Sequence, residues 1–349
     1  MQRTTETKSI DEQVRQRINT PKKKKTELDG NTEIMISTGS TLLDLAISGG
    51  RKRGGGIPGG ILVEIFGPPS TGKTVLLCEI AGDVQRKGGQ IMFHDPEARL
   101  NKQFAQIFNL DTENMQYMTP NTVTEVFTAI REWVPEGKKI NGVFTDSLAA
   151  LSTDLEMEDE EGDKMGMRRA KEFSEQLRRT ARIITSSNLL MVCSNQIREN
   201  MDAGPYGQKY IAPGGKAIGF YSSLRLRTIG LTKLKRKFKI KGKEHSMVYG
   251  IETEIEVTKS SIWEPYRTAP VTIDFRYGID DIRENLKYLK RMTNATTYNV
   301  GERKVSNSLE GAIAGVEEEG IEDVLREEVI ELWQELEDQL KIERKPKKR

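Results

Sequence analysis

Two cysteines in 349 residues leave no room for a disulfide framework. Cys78 and Cys193 both fall in apolar, core-like segments, which suits a reducing, cytoplasmic setting. Long hydrophobic runs are missing as well. No stretch approaches the ~20 residues of a membrane span, so no membrane association is expected, and the polar N-terminus does not read as a signal peptide. A strong net charge is also lacking: 54 Lys and Arg stand against 52 Asp and Glu, a formal balance of +2. Bulk charge therefore does not announce a nucleic-acid binder, and the sign has to be read locally. No internal repeats stand out. The length suffices for one large α/β domain with one or two small appendages.

What is present begins with Gly67, Pro68, Pro69, Ser70, Thr71, Gly72, Lys73 and Thr74, a run with the spacing of a phosphate-binding loop. Ile61 to Phe66 before it reads as a short buried strand. After it, Leu76, Leu77, Ile80, Ala81 and Val84 recur at helical spacing. Strand, glycine loop and helix are what such a site needs. Small residues let backbone N–H groups close around phosphates, and the helix start adds its positive end. Lys73 would reach the β- and γ-phosphates, and the Thr74 hydroxyl would sit on Mg2+. The bland alternative, an ordinary glycine turn before a helix, loses ground once these flanks are counted. ATP with Mg2+ is the expected ligand.

The first thirty or so residues stand apart. Ile10, Val14 and Ile18 form a narrow apolar stripe on a polar helix, followed by Pro21 and the run Lys22 to Lys25. Such a stripe must dock on its own core or on a neighbouring subunit, and the charged linker favours an arm. From about 34 to 278, strands and helices alternate, the signature of a mostly parallel sheet covered on both faces. Strands are expected at Gln90 to His94, Ile140 to Thr145 and Leu189 to Cys193. Helices are expected around Leu100 to Phe108, Val123 to Trp133 and Arg168 to Ser186. Beyond Tyr221 the texture changes to shorter alternating strands, such as Leu224 to Arg227 and Ile251 to Val257, which read as antiparallel. From 279 to 349 a small α+β domain is expected. It holds a helix, a Tyr298 stretch turning at Gly301-Glu302, and a long helix with Val329, Trp333, Leu336 and Leu340 on its apolar face. The basic runs at Lys22 to Lys25 and Lys345 to Arg349 resemble import signals, but solvated tails or phosphate-seeking arms suit them better.

Three further positions carry possible chemistry. Glu97, in His94-Asp95-Pro96-Glu97, follows the second strand. It is either a carboxylate that polarises an attacking water or part of a helix start capped by Asp95 with Pro96 first. Asp146 ends an apolar strand where such ATPases hold Mg2+, although a strand-end aspartate can also merely cap a turn. Gln196 ends the strand beside a Gly-, Pro- and Tyr-rich segment, where it could touch the γ-phosphate and order the loop or serve as a surface amide. That segment mixes Arg198, Lys209 and Lys216 with Tyr206 and Tyr210, a composition that suits binding a backbone while stacking bases. A disordered loop with incidental tyrosines is the alternative.

Five stretches occur in order: Ile36 to Asp44, the phosphate loop, Thr145 to Leu151, Ser194 to Arg198, and Pro213 to Ala217 followed by Phe220-Tyr221. Together they closely resemble the bacterial RecA family of DNA recombinases, from about 34 to 278 and more weakly beyond. The resemblance implies a RecA-type P-loop ATPase core between an N-terminal polymerisation arm (1–33) and a small C-terminal domain (279–349). It also implies a DNA-dependent ATPase that forms a helical filament on single-stranded DNA, searches double-stranded DNA and exchanges strands. On the matching positions Glu97 stands as catalytic base, Gln196 as ATP sensor and Phe104 as the aromatic on the adenine. Glu156 to Gly166 and Asn195 to Gly215 match the two DNA-binding loops, with Tyr206 near the tip of the second. Arg168, Arg169, Arg178, Gly214 and Gly215 join the DNA-binding candidates. Phe220 falls at the subunit-interface phenylalanine, and the Ile10, Val14, Ile18 stripe at the arm that docks on the next protomer.

The chain also departs from the pattern. The family's two lysines that reach a neighbour's ATP lie two residues apart. Here Lys259 is followed by Ser260 and Ser261, so only the first is kept, and Arg267 could stand in for the second. Arg51 to Gly56 is an insertion, and the usual acidic tail is basic. These departures fit a phage, plasmid or otherwise divergent member. Two rival readings share the ATPase core: a ring-forming replicative helicase, and a mediator that binds ATP without exchanging strands.

Overall fold

The strand leading into the phosphate loop is apolar on both faces. Its Val63 and Ile65 enter one core cluster and its Leu62 another, as in a parallel sheet sandwiched between helices. The computed structural model describes residues 33–108, 110–135, 139–154, 156, 165–199, 210–211 and 216–340. The expected N-terminal arm and basic tail lie outside them. In chain order the main strands are β1 (Ile61–Gly67), β2 (Ile91–His94), β3 (Gln116–Met118), β4 (Asn141–Thr145), β5 (Leu189–Gln196), β6 (Leu224–Ile240), β7 (Lys243–Ser260), β8 (Thr268–Asp274) and β9 (Gly278–Ile279). They form one nine-stranded sheet in the spatial order β9-β8-β7-β6-β1-β5-β4-β2-β3. From β6 to β3 every neighbouring pair is parallel; from β6 to β9 every pair is antiparallel. The sheet is thus mostly parallel, in an α/β fold.

The helices are α1 (Thr41–Ser48), α2 (Lys73–Arg86), α3 (Lys102–Ile107), α4 (Val123–Glu132), α5 (Met165–Ser186), α6 (Lys216–Tyr221), α7 (Asp281–Met292), α8 (Leu309–Glu319) and α9 (Glu322–Leu340). One face of the sheet is covered by α4 and α5, where Val126, Phe127, Ile130, Phe173 and Leu177 are buried and the Phe127 and Phe173 rings meet edge-on at 6.3 Å. Thr122 starts α4 with a reciprocal capping box to Glu125. The other face is covered by α1 and α2, and α7 to α9 extend the same apolar cluster through Leu289, Val316 and Val329. Asp281 fastens the two together: the Thr41 N–H and hydroxyl both donate to its carboxylate, each at 2.7 Å.

Past Tyr221 the structure differs from the expected short antiparallel strands. β6 and β7 are 17 and 18 residues long, and β6 first runs parallel to β1 through Leu224 to Arg227. Their outer halves form a ribbon solvated on both faces, so the apolar alternation that marks a strand in sequence stops early. In the C-terminal segment a hairpin, β10 (Tyr298–Val300) and β11 (Arg303–Ser306), turns at Gly301, and α8 is an additional helix. Leu340, expected on the apolar face of α9, is 69% exposed at its end.

The Arg51 to Gly56 segment packs on α9. Arg53 pairs with Glu327 at 2.6 Å and lies 3.6 Å from Glu331, while Gln334 donates to the Gly49 carbonyl at 3.1 Å. Arg51 donates to the Ile262 carbonyl. Among the described residues no helix is long and apolar enough to cross a membrane.

Candidate nucleotide site

The C-terminal ends of β1, β5, β4 and β2 line up along one edge of the sheet, where open parallel sheets bind their ligands. A cleft of about 690 Å³ lies there, and Lys73, Thr74, Glu97, Phe104, Asp146 and Gln196 all line it. The sequence-derived catalytic, phosphate and metal candidates therefore converge, apart from Lys259.

Two glycines shape the phosphate loop. A Cβ on Gly67 would stand 1.9 Å from Thr228 Oγ1 of β6, so the loop leaves β1 in direct contact with the next strand. Gly72 has φ +88, a left-handed conformation that glycine adopts without penalty, and a Cβ there would meet Ile273 at 2.3 Å. Ser70 also has positive φ, at 61. Thr71 holds the turn by donating to the Pro68 carbonyl at 2.8 Å and sharing a 2.7 Å hydrogen bond with Thr228. Gly72 gives α2 no side-chain cap, and the first turn of α2 carries no acidic residue. Its amides are left facing the cleft without a carboxylate of their own turn to occupy them.

Lys73 donates to the carbonyls of Gly67 at 3.1 Å and Pro68 at 2.6 Å. Burial lowers its pKa from the ordinary lysine value, against the opposing pull of Asp146. The Thr74 hydroxyl donates to Asp146 at 2.6 Å, and Ser194 donates to the other carboxylate oxygen. Thr74 and Asp146 are hard oxygen donors side by side, as Mg2+ requires. Among the described residues no group of three or more His, Cys, Asp and Glu side chains could hold a metal by itself. A site with only two protein oxygens fits an ion that arrives with phosphates and keeps waters.

No helix starts at Asp95 to Glu97. Asp95 instead accepts from the Leu100 N–H at 2.7 Å and the Tyr117 hydroxyl at 2.9 Å, bracing a turn in which Ala98 has φ 50. Helix α3 begins later, capped by Asn101. Glu97 is left facing the cleft, paired with the exposed Arg99 at 2.7 Å. Phe104 meets Phe108 edge-on at 4.7 Å and lines the same cleft. Gln196 lies in register beside Gly67, the first residue of the loop. His94 is buried behind the site, and burial pushes its pKa down to about 4, so it stays neutral near neutrality.

Lys259 does not line the cleft. Its ammonium donates to the carbonyls of Gly219 at 2.9 Å and Phe220 at 2.8 Å, and burial, then the Arg225 charge, hold its pKa below the usual lysine value. It stands beside Phe220, whose ring is 76% exposed. Arg267 is committed to Glu264 and to both carboxylate oxygens of Glu337 on α9. Of the DNA candidates, Arg168 and Arg178 are exposed, whereas Arg169 is ion-paired with the nearly buried Glu156 at 3.1 Å. Arg198, Tyr210 and Lys216 are placed by backbone alone, in a short strand pair and at the start of α6. Tyr206, Lys209, Gly214, Gly215, Ile10, Val14 and Ile18 lie outside the described residues.

Sequence reasoning missed several parts of the site. Thr228 and Ser194 join it only through sheet register, which no local pattern announces. Glu64, buried with Arg225 at 2.6 Å and Asn195 at 3.0 Å, does not line the cleft, and its pairing likewise depends on sheet register. Leu231, Lys233 and Val248, from the root of the β6–β7 ribbon, line the cleft unforeseen.

A family model described as the RecA N-terminal domain matches residues 17–280. Among relatives, Protein RecA of Clostridium botulinum (strain Eklund 17B / Type B) is 34% identical over 244 residues, covering 70% of this chain and 64% of that protein. Protein RecA of Thermus thermophilus is 33% identical over 250 residues, covering 72% and 69%. Protein RecA of Rippkaea orientalis is 32% identical over 289 residues, covering 81% and 78%. The chain thus spans just under two thirds of the first of these relatives.

Proposed function

The chain belongs to the RecA family, and on that footing we propose that it is a DNA-dependent ATPase of homologous recombination, forming filaments on single-stranded DNA and exchanging strands with duplex DNA. The observation that carries this reading is the convergence of Glu97 and Gln196 on the Lys73, Thr74 and Asp146 cluster at one cleft. A phosphate-binding loop alone supports nucleotide binding. A carboxylate and an amide facing the same space supply, in addition, a group to orient water and a group to register the γ-phosphate.

In this mechanism the amides at the start of α2 and Lys73 draw the β- and γ-phosphates into the loop, with Lys73 exchanging its own loop carbonyls for phosphate oxygens. Thr74 and Asp146 would hold Mg2+, which neutralises charge as it builds on the phosphates. Glu97 accepts a hydrogen bond from the attacking water and aligns it. Releasing Arg99 for that purpose costs little, because a pair with so exposed a partner is worth about 0–1 kcal/mol. Gln196 passes the presence of the γ-phosphate into the segment that follows β5, so that DNA binds tightly only while ATP is intact. Phe104 supports the base. Lys259 and Phe220, side by side and away from their own cleft, serve the next protomer.

The test is negative-stain microscopy of the protein with single-stranded DNA, Mg2+ and a non-hydrolysable ATP analogue, paired with an assay of DNA-stimulated ATP turnover. Extended helical filaments and stimulated turnover are expected. Closed rings would replace the reading with a helicase, and bare particles without turnover would replace it with a mediator.

A further inference from the structure

Leu224, Leu226 and Thr228 alternate along β6 on the face that carries the phosphate loop. The two leucines are buried in the apolar cluster there, and Thr228 shares its hydrogen bond with Thr71. Strict alternation would continue this face through Gly230 and Thr232 and would turn Lys233 to the opposite side. The register breaks instead. Ile229 pairs with Glu254 and Thr232 with Glu252, so β6 spends one residue more than β7 over this step. Gly230 stands in the bulge with φ +67, and the Thr253 hydroxyl donates to its carbonyl at 3.3 Å. Such a bulge bends the strand and re-aims the side chains that follow, and a left-handed glycine is suited to it.

A second slip answers the first on β7. Leu234 pairs with Gly250 and Lys235 with Val248, which leaves Tyr249 as the extra residue. Lys233 comes to stand directly opposite Ile251, which belongs to the same apolar cluster as Leu224 and Leu226. Leu231, Lys233, Val248 and Ile251 all line the nucleotide cleft as a result. Three of these side chains are apolar, so the two bulges deliver a single charge.

That charge matters to the balance of the cleft. Asp95, Glu97 and Asp146 line it as three carboxylates, against Lys73 and Arg99. Arg99 is taken by Glu97, and Lys259 and Arg267 are engaged away from the cleft. A nucleoside triphosphate remains anionic with Mg2+ bound, and that lining alone would oppose it. Lys233 evens the count, and it makes no ion pair among the described residues.

We propose that Lys233 is a nucleotide-binding residue, its ammonium held to the polyphosphate of the ATP bound in its own protomer. The proposal rests on the nucleotide reading of the cleft and adds to it a cation from the far side of the phosphate loop. A lysine kept only for solubility would need no bulge, since either face of a solvated ribbon would serve it.

The experiment titrates the full chain, as parent and as K233Q, with the non-hydrolysable ATP analogue, ADP and AMP. Calorimetry reads binding with Mg2+ present and DNA absent. Affinity of K233Q for the analogue should fall about tenfold, and the loss should shrink from the analogue to ADP to AMP. In turnover KM should rise while kcat stays within about twofold, the mark of a contact made equally in ground and transition states. K233R should restore both, and salt should weaken nucleotide binding more steeply in the parent than in K233Q. K239Q, exposed farther along the same strand, should match the parent. Equal affinities for parent and K233Q would overturn the proposal. An equal loss in K239Q would overturn it too, by making the effect a general field of the ribbon. An equal loss across all three nucleotides would move Lys233 to the base or ribose. A parent that does not bind the analogue would overturn the nucleotide reading itself, a result separate from failure of Lys233 alone.

Discussion

Glu97 and Asp95 show how one short turn separates structure from chemistry. Asp95 spends its carboxylate on the Leu100 amide and the Tyr117 hydroxyl, which leaves Glu97 two residues on with only an exposed arginine to hold. Replacing Glu97 by Gln keeps size and hydrogen bonding but removes the base. Turnover should fall by about 10²–10⁴-fold, while affinity for the ATP analogue, read by fluorescence titration, stays unchanged. Normal turnover in that variant would remove Glu97 from the mechanism. Glu79 on α2 has a different role. Burial pushes its pKa up to about 7, although the Ile279 amide and Arg86 pull it down. The folded chain therefore keeps a proton that the unfolded chain releases. This contribution to stability is complete below the ordinary glutamate value of 4.5 and is lost as the pH rises through about 7. E79Q should remove that loss, gaining up to about 3 kcal/mol over the parent at pH 8 and little at pH 4. Urea midpoints at the two pH values provide the check, and an equal difference at both would mean the carboxyl is not buried as described.

Among the elements, α9 ties distant parts of the chain together. Arg267, immediately before β8, reaches both oxygens of Glu337 and lies over the Trp333 ring at 5.5 Å. Replacing Arg267 by Ala leaves Glu337, itself mostly buried, without its cation. It should cost about 1.5–3 kcal/mol, seen as a lower urea midpoint and faster amide exchange along α9, with nucleotide binding unaltered. How legible each element was in sequence follows from how local its signal is. β1, the phosphate loop and α2 were readable because strand, glycine run and helical spacing sit in consecutive residues. Asp146 and Gln196 were readable because both end apolar strands. α8 was missed because its buried face is only Ala312 and Val316, too little apolar contrast to show a period. Thr228, Ser194 and the Arg267–Glu337 pair were hidden because each depends on which strand or helix lies alongside, a long-range fact that spacing does not encode.

In the whole molecule, the near-neutral charge conceals a strong separation. The β6–β7 ribbon is basic, whereas Leu309 to Leu340 holds twelve acidic residues and one basic. Large apolar side chains are exposed at scattered points, and one of them is Phe220, carried at the end of α6 next to Lys259. Since the ring is 76% exposed in the single chain, F220A should leave folding stability within about 0.5 kcal/mol. In the proposed filament it should weaken nucleotide-dependent self-association, which sedimentation with the ATP analogue would read. Unchanged sedimentation would place the subunit contact elsewhere. The Arg51 to Gly56 loop lies against α9: Arg53 pairs with Glu327, and the Gly49 carbonyl accepts from Gln334. The two are therefore one heritable unit, which relatives should gain or lose as a pair. A chimera that grafts the loop onto a host without such a helix would carry cations with no counterpart, and one that grafts the helix alone would import unanswered carboxylates.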